Sequence, residues 1–239
     1  GLKGMPNSAE EVMVARDISL SELTGGKIHL AHISTSGTLD MVRAAKKRGI
    51  NVTCEVTPHH LTLTDEAVLS IGDENSVFDA LTPKAYNTTA KVNPPLRNVA
   101  DMSVMANGIN DGTIDFIATD HAPHGSVDKV CTFQEAAFGI SVLETALGSV
   151  LSLYHNKKVG LGTIIKKLTA DPAAFLGSNL GTLKVGRPAD VTVFDLNEEW
   201  KVNSSLFLSK GKNTPLDGTL LTGRVKATFY GGEYVYRND

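Results

Sequence analysis

Three apolar runs of strand length, each followed by polar, chemistry-bearing residues and a stretch of helical periodicity, constrain this chain more than any other feature. They cover residues 27–33, 51–56 and 114–119. A helix opens near Asn7-Ser8-Ala9-Glu10-Glu11, with Ser8 as N-cap and acids in the first turn, and stops at Thr24-Gly25-Gly26. After a Ser34-Thr35-Ser36-Gly37 loop and cap, a second helix is predicted near 38–48; others are predicted over 98–110 and, as a long helix, 133–154. Strands alternating with helices at this spacing argue for an α/β fold with a parallel sheet covered by helices. Past about residue 179 the pattern shifts to short strands at 181–185, 190–196, 200–202, 219–230 and 233–236, separated by Gly, Pro and Asn turns. The expected organisation is therefore an α/β body over 1–178 and a small β appendage over 179–239. Residues 57–96 are long for a connector, and loops of that length are usually functional or partly structured.

Composition excludes some classes. The chain has 239 residues, 41% of them hydrophobic, enough for a substantial core. Its formal net charge of -3, with both signs interspersed, leaves no basic stripe for a phosphate backbone, so nucleic acid is not expected as a partner. No apolar run approaches the roughly 20 residues that span a bilayer, so no membrane partner is expected, and Gly1-Leu2-Lys3-Gly4 has no signal-peptide pattern. Cys54 and Cys131 lie far apart in no metal-type pairing, as suits a reducing compartment. Together these place the protein in the cytoplasm. Gly1 is not an initiator methionine and the first residues already lead into a helix, so a missing upstream portion is expected.

Six of the seven histidines fall within or just after a predicted strand: His29 and His32, His59 and His60, His121 and His124. Loops at strand C-termini form the active face of barrels and open α/β sheets. In Ile117-Ala118-Thr119-Asp120-His121-Ala122-Pro123-His124 a carboxylate stands just past an apolar strand, where it can ligate a metal and accept a proton from the water that such an ion activates. The competing reading has Asp120 cap the following turn. Neutral imidazole suits Zn²⁺, Co²⁺ or Mn²⁺, and mixed His and carboxylate ligation marks a catalytic rather than a structural site. In Lys91-Val92-Asn93-Pro94-Pro95-Leu96-Arg97 two prolines fix an extended backbone, and Asn93 offers an amide donor and a carbonyl acceptor to a ring amide, unless it is an ordinary turn residue before proline.

Four strings, His29-Leu30-Ala31-His32-Ile33-Ser34-Thr35, Val56-Thr57-Pro58-His59-His60-Leu61-Thr62-Leu63-Thr64, Asn93-Pro94-Pro95-Leu96-Arg97 and Ala118-Thr119-Asp120-His121-Ala122-Pro123-His124, together resemble the successive motifs of bacterial dihydroorotases in the amidohydrolase superfamily. Gly181-Thr182-Leu183 to Ala189-Asp190, Asn213-Thr214-Pro215 and Gly231-Gly232-Glu233 are similar to that family's C-terminal β segment. The resemblance implies the C-terminal part of a TIM-like (β/α)8 barrel. It makes His32 a metal ligand after the sixth barrel strand, and Asp120 a ligand and general acid/base after the eighth. It gives Asn93, His124 and Gly139 contacts to the substrate ring and its carboxylate, although the family commonly has proline near Ala137. His29, His59, His60 and His121 are left to packing or to supporting the ligands. The family's His-x-His pair and arginine, bridging acid or carboxylated lysine, and fifth-strand histidine have no counterpart here.

The activity implied is zinc-dependent, with one or two ions or another divalent transition metal, and interconverts N-carbamoyl-L-aspartate and L-dihydroorotate in pyrimidine biosynthesis. The implied partners are that small-molecule substrate and either a second copy in a homodimer or aspartate transcarbamoylase. Alternatives are an allantoinase or dihydropyrimidinase, and a non-catalytic dihydroorotase-like subunit supporting aspartate transcarbamoylase.

Overall fold

The computed structural model describes residues 3–69 and 86–238. Strands β1 (Ile28–Leu30), β2 (Val52–Val56) and β3 (Phe116–Ile117) form a parallel sheet in that order, with Leu30 opposite Cys54 and Val56 opposite Ile117. Helices α1 (Asn7–Thr24), α2 (Ser36–Lys47), α3 (Pro58–Thr62), α4 (Val99–Asn110), α5 (Ala146–His155), α6 (Leu161–Leu168) and α7 (Ala170–Phe175) surround it. The expected α/β body is present, but these three strands make an open sheet, with β1 and β3 at its edges, rather than a closed ring.

Period-2 alternation divides the sheet's two faces. Leu30, Val52, Cys54, Val56 and Ile117 share one core with Val14 and Ile18 of α1, Leu39 and Val42 of α2, Met105 and Ile109 of α4, and Ile164 of α6. His29, Thr53, Glu55 and Phe116 lie on the opposite face, where Phe175 of α7 packs on both His29 and Phe116. Helix starts follow local chemistry: Thr35 Oγ1 accepts from Thr38 N at α2, and Asn98 caps α4 by accepting from Asp101 N.

Several expectations need correction. Pro6, not Ser8, is the N-cap of α1, and no side chain bonds there. The long helix expected over 133–154 is reduced to α5, because tertiary contacts override its periodicity: Gly139 N–H donates to Lys91 O, Ile140 bridges to His121 in parallel, and Ser141 N–H donates to Asn213 O. The strand expected over 114–119 shortens to β3, and 181–185 is turn and coil, with Val185 and Leu183 exposed. The strands expected at 190–196 and 200–202 join as β4 (Val191–Lys201), with a register shift between Asp195 and Glu199. The 57–96 stretch holds α3 and two short 3-10 turns, and its residues 70–85 lie outside the described ones.

Strand β4 pairs with β5 (Leu220–Tyr230), which pairs with β6 (Glu233–Arg237), all antiparallel. This second sheet sits against α5, where a Cβ on Gly148 would come within 3.2 Å of Gly223 O. No helix among the described residues is long and apolar enough to cross a membrane.

Candidate active site

Parallel pairing brings the three C-terminal strand ends to one edge. His32 follows β1, Thr57 to His60 follow β2 and open α3, and Asp120 follows β3. His32 has φ 41° and Asp120 φ 45°, and among the described residues the one other non-glycine at positive φ is Lys157. Such a conformation costs of order 1–3 kcal/mol and persists where the surroundings over-determine it, commonly at functional sites. Here it falls on both residues that the sequence singles out as ligands, and it turns each side chain out of the strand direction. Bonds from Ile33 N to Glu55 O and from Ala118 N to Val56 O hold both exits to β2.

Burial pushes the Asp120 carboxyl above its ordinary value; the His32 imidazole opposes that shift and Glu55 adds to it. His32 Nδ1 is buried without a hydrogen-bond partner. An orphaned imidazole nitrogen that interacts with a half-buried carboxylate fits a divalent cation, which would satisfy both. This pair supplies two of the three protein ligands usual at a catalytic zinc, and among the described residues no third His, Cys, Asp or Glu joins them.

The other histidines divide by their partners. His60 is fully bonded: Thr57 Oγ1 lies 2.8 Å from Nδ1, and Nε2 bonds Pro94 O at 3.0 Å, fastening the Asn93-Pro94 loop to the end of β2. Burial lowers its pKa to about 4. His59 packs on His60 with ring centroids 4.6 Å apart, and both its ring nitrogens are buried and unpartnered. Burial, then the His60 and His32 imidazoles, hold it neutral. His29 stacks on Phe116 and bonds Thr53 and Glu55. His121 Nδ1 accepts from Val142 N and Leu143 N, so its proton sits on Nε2, facing Ser209 Oγ at 3.3 Å.

Asn93, His124 and Gly139 gather on neighbouring loops. The Asn93–Pro94 peptide is cis and Asn93 is exposed. His124 Nε2–H donates to Phe138 O, and a Cβ on Gly139, at φ 145°, would come within 2.9 Å of that same nitrogen. Lys129, 4% exposed, points Nζ at Ala137 O, Thr88 O and Lys91 O, binding the segment before Asn93 to the segment before Gly139. A cavity of about 760 Å³ opens beside these loops, lined among others by Lys91, Arg97, Phe133 and Phe138, but none of His32, Asn93, Asp120 or His124 borders it.

One buried carboxylate ties both groups together. Glu10 of α1 accepts from Ser34 N, Ser34 Oγ and Thr35 N in the loop after His32, and stands 3.6 Å from Arg97 Nη2, past the Asn93 loop. The sequence reading missed Glu10, Lys129 and Asn213. Glu10 read there only as a first-turn acid, and Asn213 only as part of a family string.

The amidohydrolase family model matches residues 9–235. A curated dihydroorotase of Syntrophus aciditrophicus (strain SB) is 45% identical over 239 residues, which is 100% of this chain and 53% of that protein. One from Anaeromyxobacter dehalogenans (strain 2CP-C) is 47% identical over 236 residues, 99% of this chain and 52% of that protein. Among solved structures, the L-hydantoinase (dihydropyrimidinase) of Arthrobacter aurescens superposes with TM-score 0.84 at 27% identity, covering 98% of this chain and 50% of its own. The chain spans about half the length of the curated relatives it matches.

Proposed function

We propose, from the premise that this chain belongs to the amidohydrolase family, that it is the C-terminal part of a metal-dependent dihydroorotase acting in the cytoplasm in pyrimidine biosynthesis. The observation that carries this is that His32 and Asp120 leave the two strands flanking β2 at the same sheet edge, both at positive φ, in a chain about 45% identical to curated dihydroorotases along its whole length. Residues 1–178 are then part of an eight-stranded barrel, and 179–239 are part of a small β domain.

His32 and Asp120 would hold the ion, zinc or another divalent transition metal, together with ligands from elsewhere in the protein. When bound, such an ion polarises the scissile carbonyl and lowers the pKa of water to about 7. The chain's own residues do the rest. In the hydrolytic direction water adds to the ring carbonyl carbon and the ring C–N bond breaks. Asp120 takes the proton from the attacking water and returns it to the leaving nitrogen. Asn93, His124 and Gly139 hold the ring and its carboxylate. Closure of N-carbamoyl-L-aspartate runs the same steps backwards and releases water.

The structural similarity to a hydantoinase favours a second reading, a dihydropyrimidinase-type cyclic amidase. The full-length protein, loaded with zinc, is expected to turn over L-dihydroorotate far faster than dihydrouracil or hydantoin. The opposite preference would replace the first reading with the second, and no turnover of any of them would favour a non-catalytic subunit that supports a partner such as aspartate transcarbamoylase.

A further inference from the structure

Asn213 lies in the connection between the two long strands of the second sheet, 6% exposed and far along the chain from every candidate site residue. Its carboxamide is bonded on both its donor and its acceptor side. Nδ2 donates to Ala122 O at 3.1 Å and Gly139 O at 3.0 Å. Oδ1 accepts from His124 N at 2.8 Å, and the Ser141 hydroxyl, with one proton, lies 2.8 Å from Oδ1 and 3.0 Å from Gly211 O. The Asn213 backbone carbonyl also accepts from Ser141 N at 2.8 Å. All five of these partner groups of Asn213 belong to the two segments that carry His124 and Gly139, and only an amide in this orientation presents two donors to two carbonyls while its oxygen accepts from His124 N.

The surrounding backbone leaves no slack. A Cβ on Gly211 would come within 2.6 Å of His124 N and of Pro123 Cβ, so the 211–213 segment lies directly on the 123–124 backbone. Ser209 adds a parallel fastening, its N–H and hydroxyl bonding Glu144 while its Oγ faces His121 Nε2. His121 in turn receives Val142 N.

We infer that Asn213 is a positioning residue: its carboxamide sets the register of the His124 segment against the Gly139 segment, so that the C-terminal connection shapes the substrate-binding side of a site it does not enter. The consequence for substrate rests on the reading of His124 and Gly139 given above; the consequence for register does not.

Asn213→Asp in the full-length, metal-loaded protein tests it. The carboxylate keeps the acceptor side and turns lone pairs on Ala122 O and Gly139 O, the arrangement that a positioning role tolerates least. Amide hydrogen exchange is expected to speed up in 121–125 and 138–142 while β1 and β2 keep their protection. KM for L-dihydroorotate should rise about tenfold with kcat and metal content little changed, because an interaction made equally in ground and transition states is weakened. The KM defect should shrink as pH falls, since a protonated acid regains one donor. Ser141→Ala, which removes one partner of Oδ1 and leaves the carboxamide in place, should produce the same pattern more weakly, and it serves if the Asp variant does not fold. Unchanged exchange in both segments, or a uniform rise across the whole protein with kcat and KM falling together, would overturn the inference. A parent protein with no activity on L-dihydroorotate would overturn the functional reading alone, and the exchange result would still decide the role of Asn213.

Discussion

The two halves of the candidate site are built by opposite means. On the proposed metal side, His32 and Asp120 each lie within two residues of a backbone bond to β2 and take positive φ. On the proposed substrate side, Asn93, His124 and Gly139 sit on loops with little regular structure, fastened by side chains from other segments: Lys129, His60 and Asn213. Strand ends give precision to groups that must not move; stitched loops can be reshaped for a different ring without disturbing the core. Asp120→Ala breaks the first half most severely. Turnover in both directions is expected to fall by about 100- to 10,000-fold, the usual contribution of a positioned acid/base, with metal content falling as well. Steady-state kinetics with metal analysis decides it, and near-normal turnover would remove Asp120 from the mechanism.

Glu10 couples the halves, and its loss should cost next most. Its carboxylate is 11% exposed at the side chain and faces Arg97 at 6%, so Glu10→Ala leaves a buried guanidinium without its counter-charge and strips the acceptor from Ser34 N and Thr35 N. Breaking such a pair costs about 3–5 kcal/mol. Denaturant unfolding of parent and variant measures it, and a loss near zero would mean that solvent replaces Glu10 easily and the halves are independent.

On the substrate side, His124→Ala should act more gently. With Nε2 given to Phe138 O and the backbone held by Asn213, the ring is a contact rather than a brace. KM is expected to rise about tenfold with metal content spared. Loss of metal in this variant would transfer His124 to the ligand set and erase the distinction between the halves.

The strand exits that place His32 and Asp120 at one sheet edge were legible in the sequence because their signals are local. Apolar runs ending in His32 and Asp120 mark strand exits, and the parallel sheet follows from the helices between them. The substrate side was only partly legible. Nothing near Ala136-Ala137-Phe138-Gly139 announces that the helical periodicity of 133–154 is overruled, since the overruling contacts come from Lys91 and Asn213. Asn213 itself, in Lys212-Asn213-Thr214-Pro215, has the composition of any turn. The unpartnered ring nitrogens of His59 are invisible to spacing as well, because burial and the absence of a partner are properties of the packed state.

The smallest expected effect concerns Lys129, and it sharpens the claim that side chains, not backbone, hold the substrate loops. Burial, and secondly the neighbouring Lys91 ammonium, lower its pKa from 10.5 to about 8. Three carbonyls around Nζ match the three N–H groups of the charged form and oppose that shift, but they do not cancel it. Because the folded value lies below the unfolded one, between about pH 8 and 10.5 the unfolded chain holds more protons at this site than the folded one. The charged-state penalty is complete below about pH 8 and is relieved as pH rises through this window. Relative to Lys129→Met, which cannot titrate, the parent should therefore gain about 1.5 kcal/mol of stability between pH 8 and 9.5. Over the same interval the neutral amine has only two N–H groups for three carbonyls, so amide exchange near 88–91 and 137–139 should quicken even as global stability improves. Urea midpoints of both proteins across this range, with exchange on the parent, measure the two effects together. Parallel stability curves would show that Lys129 does not titrate there, and a gain without local loosening would leave the backbone bond from Gly139 N to Lys91 O as the true fastening.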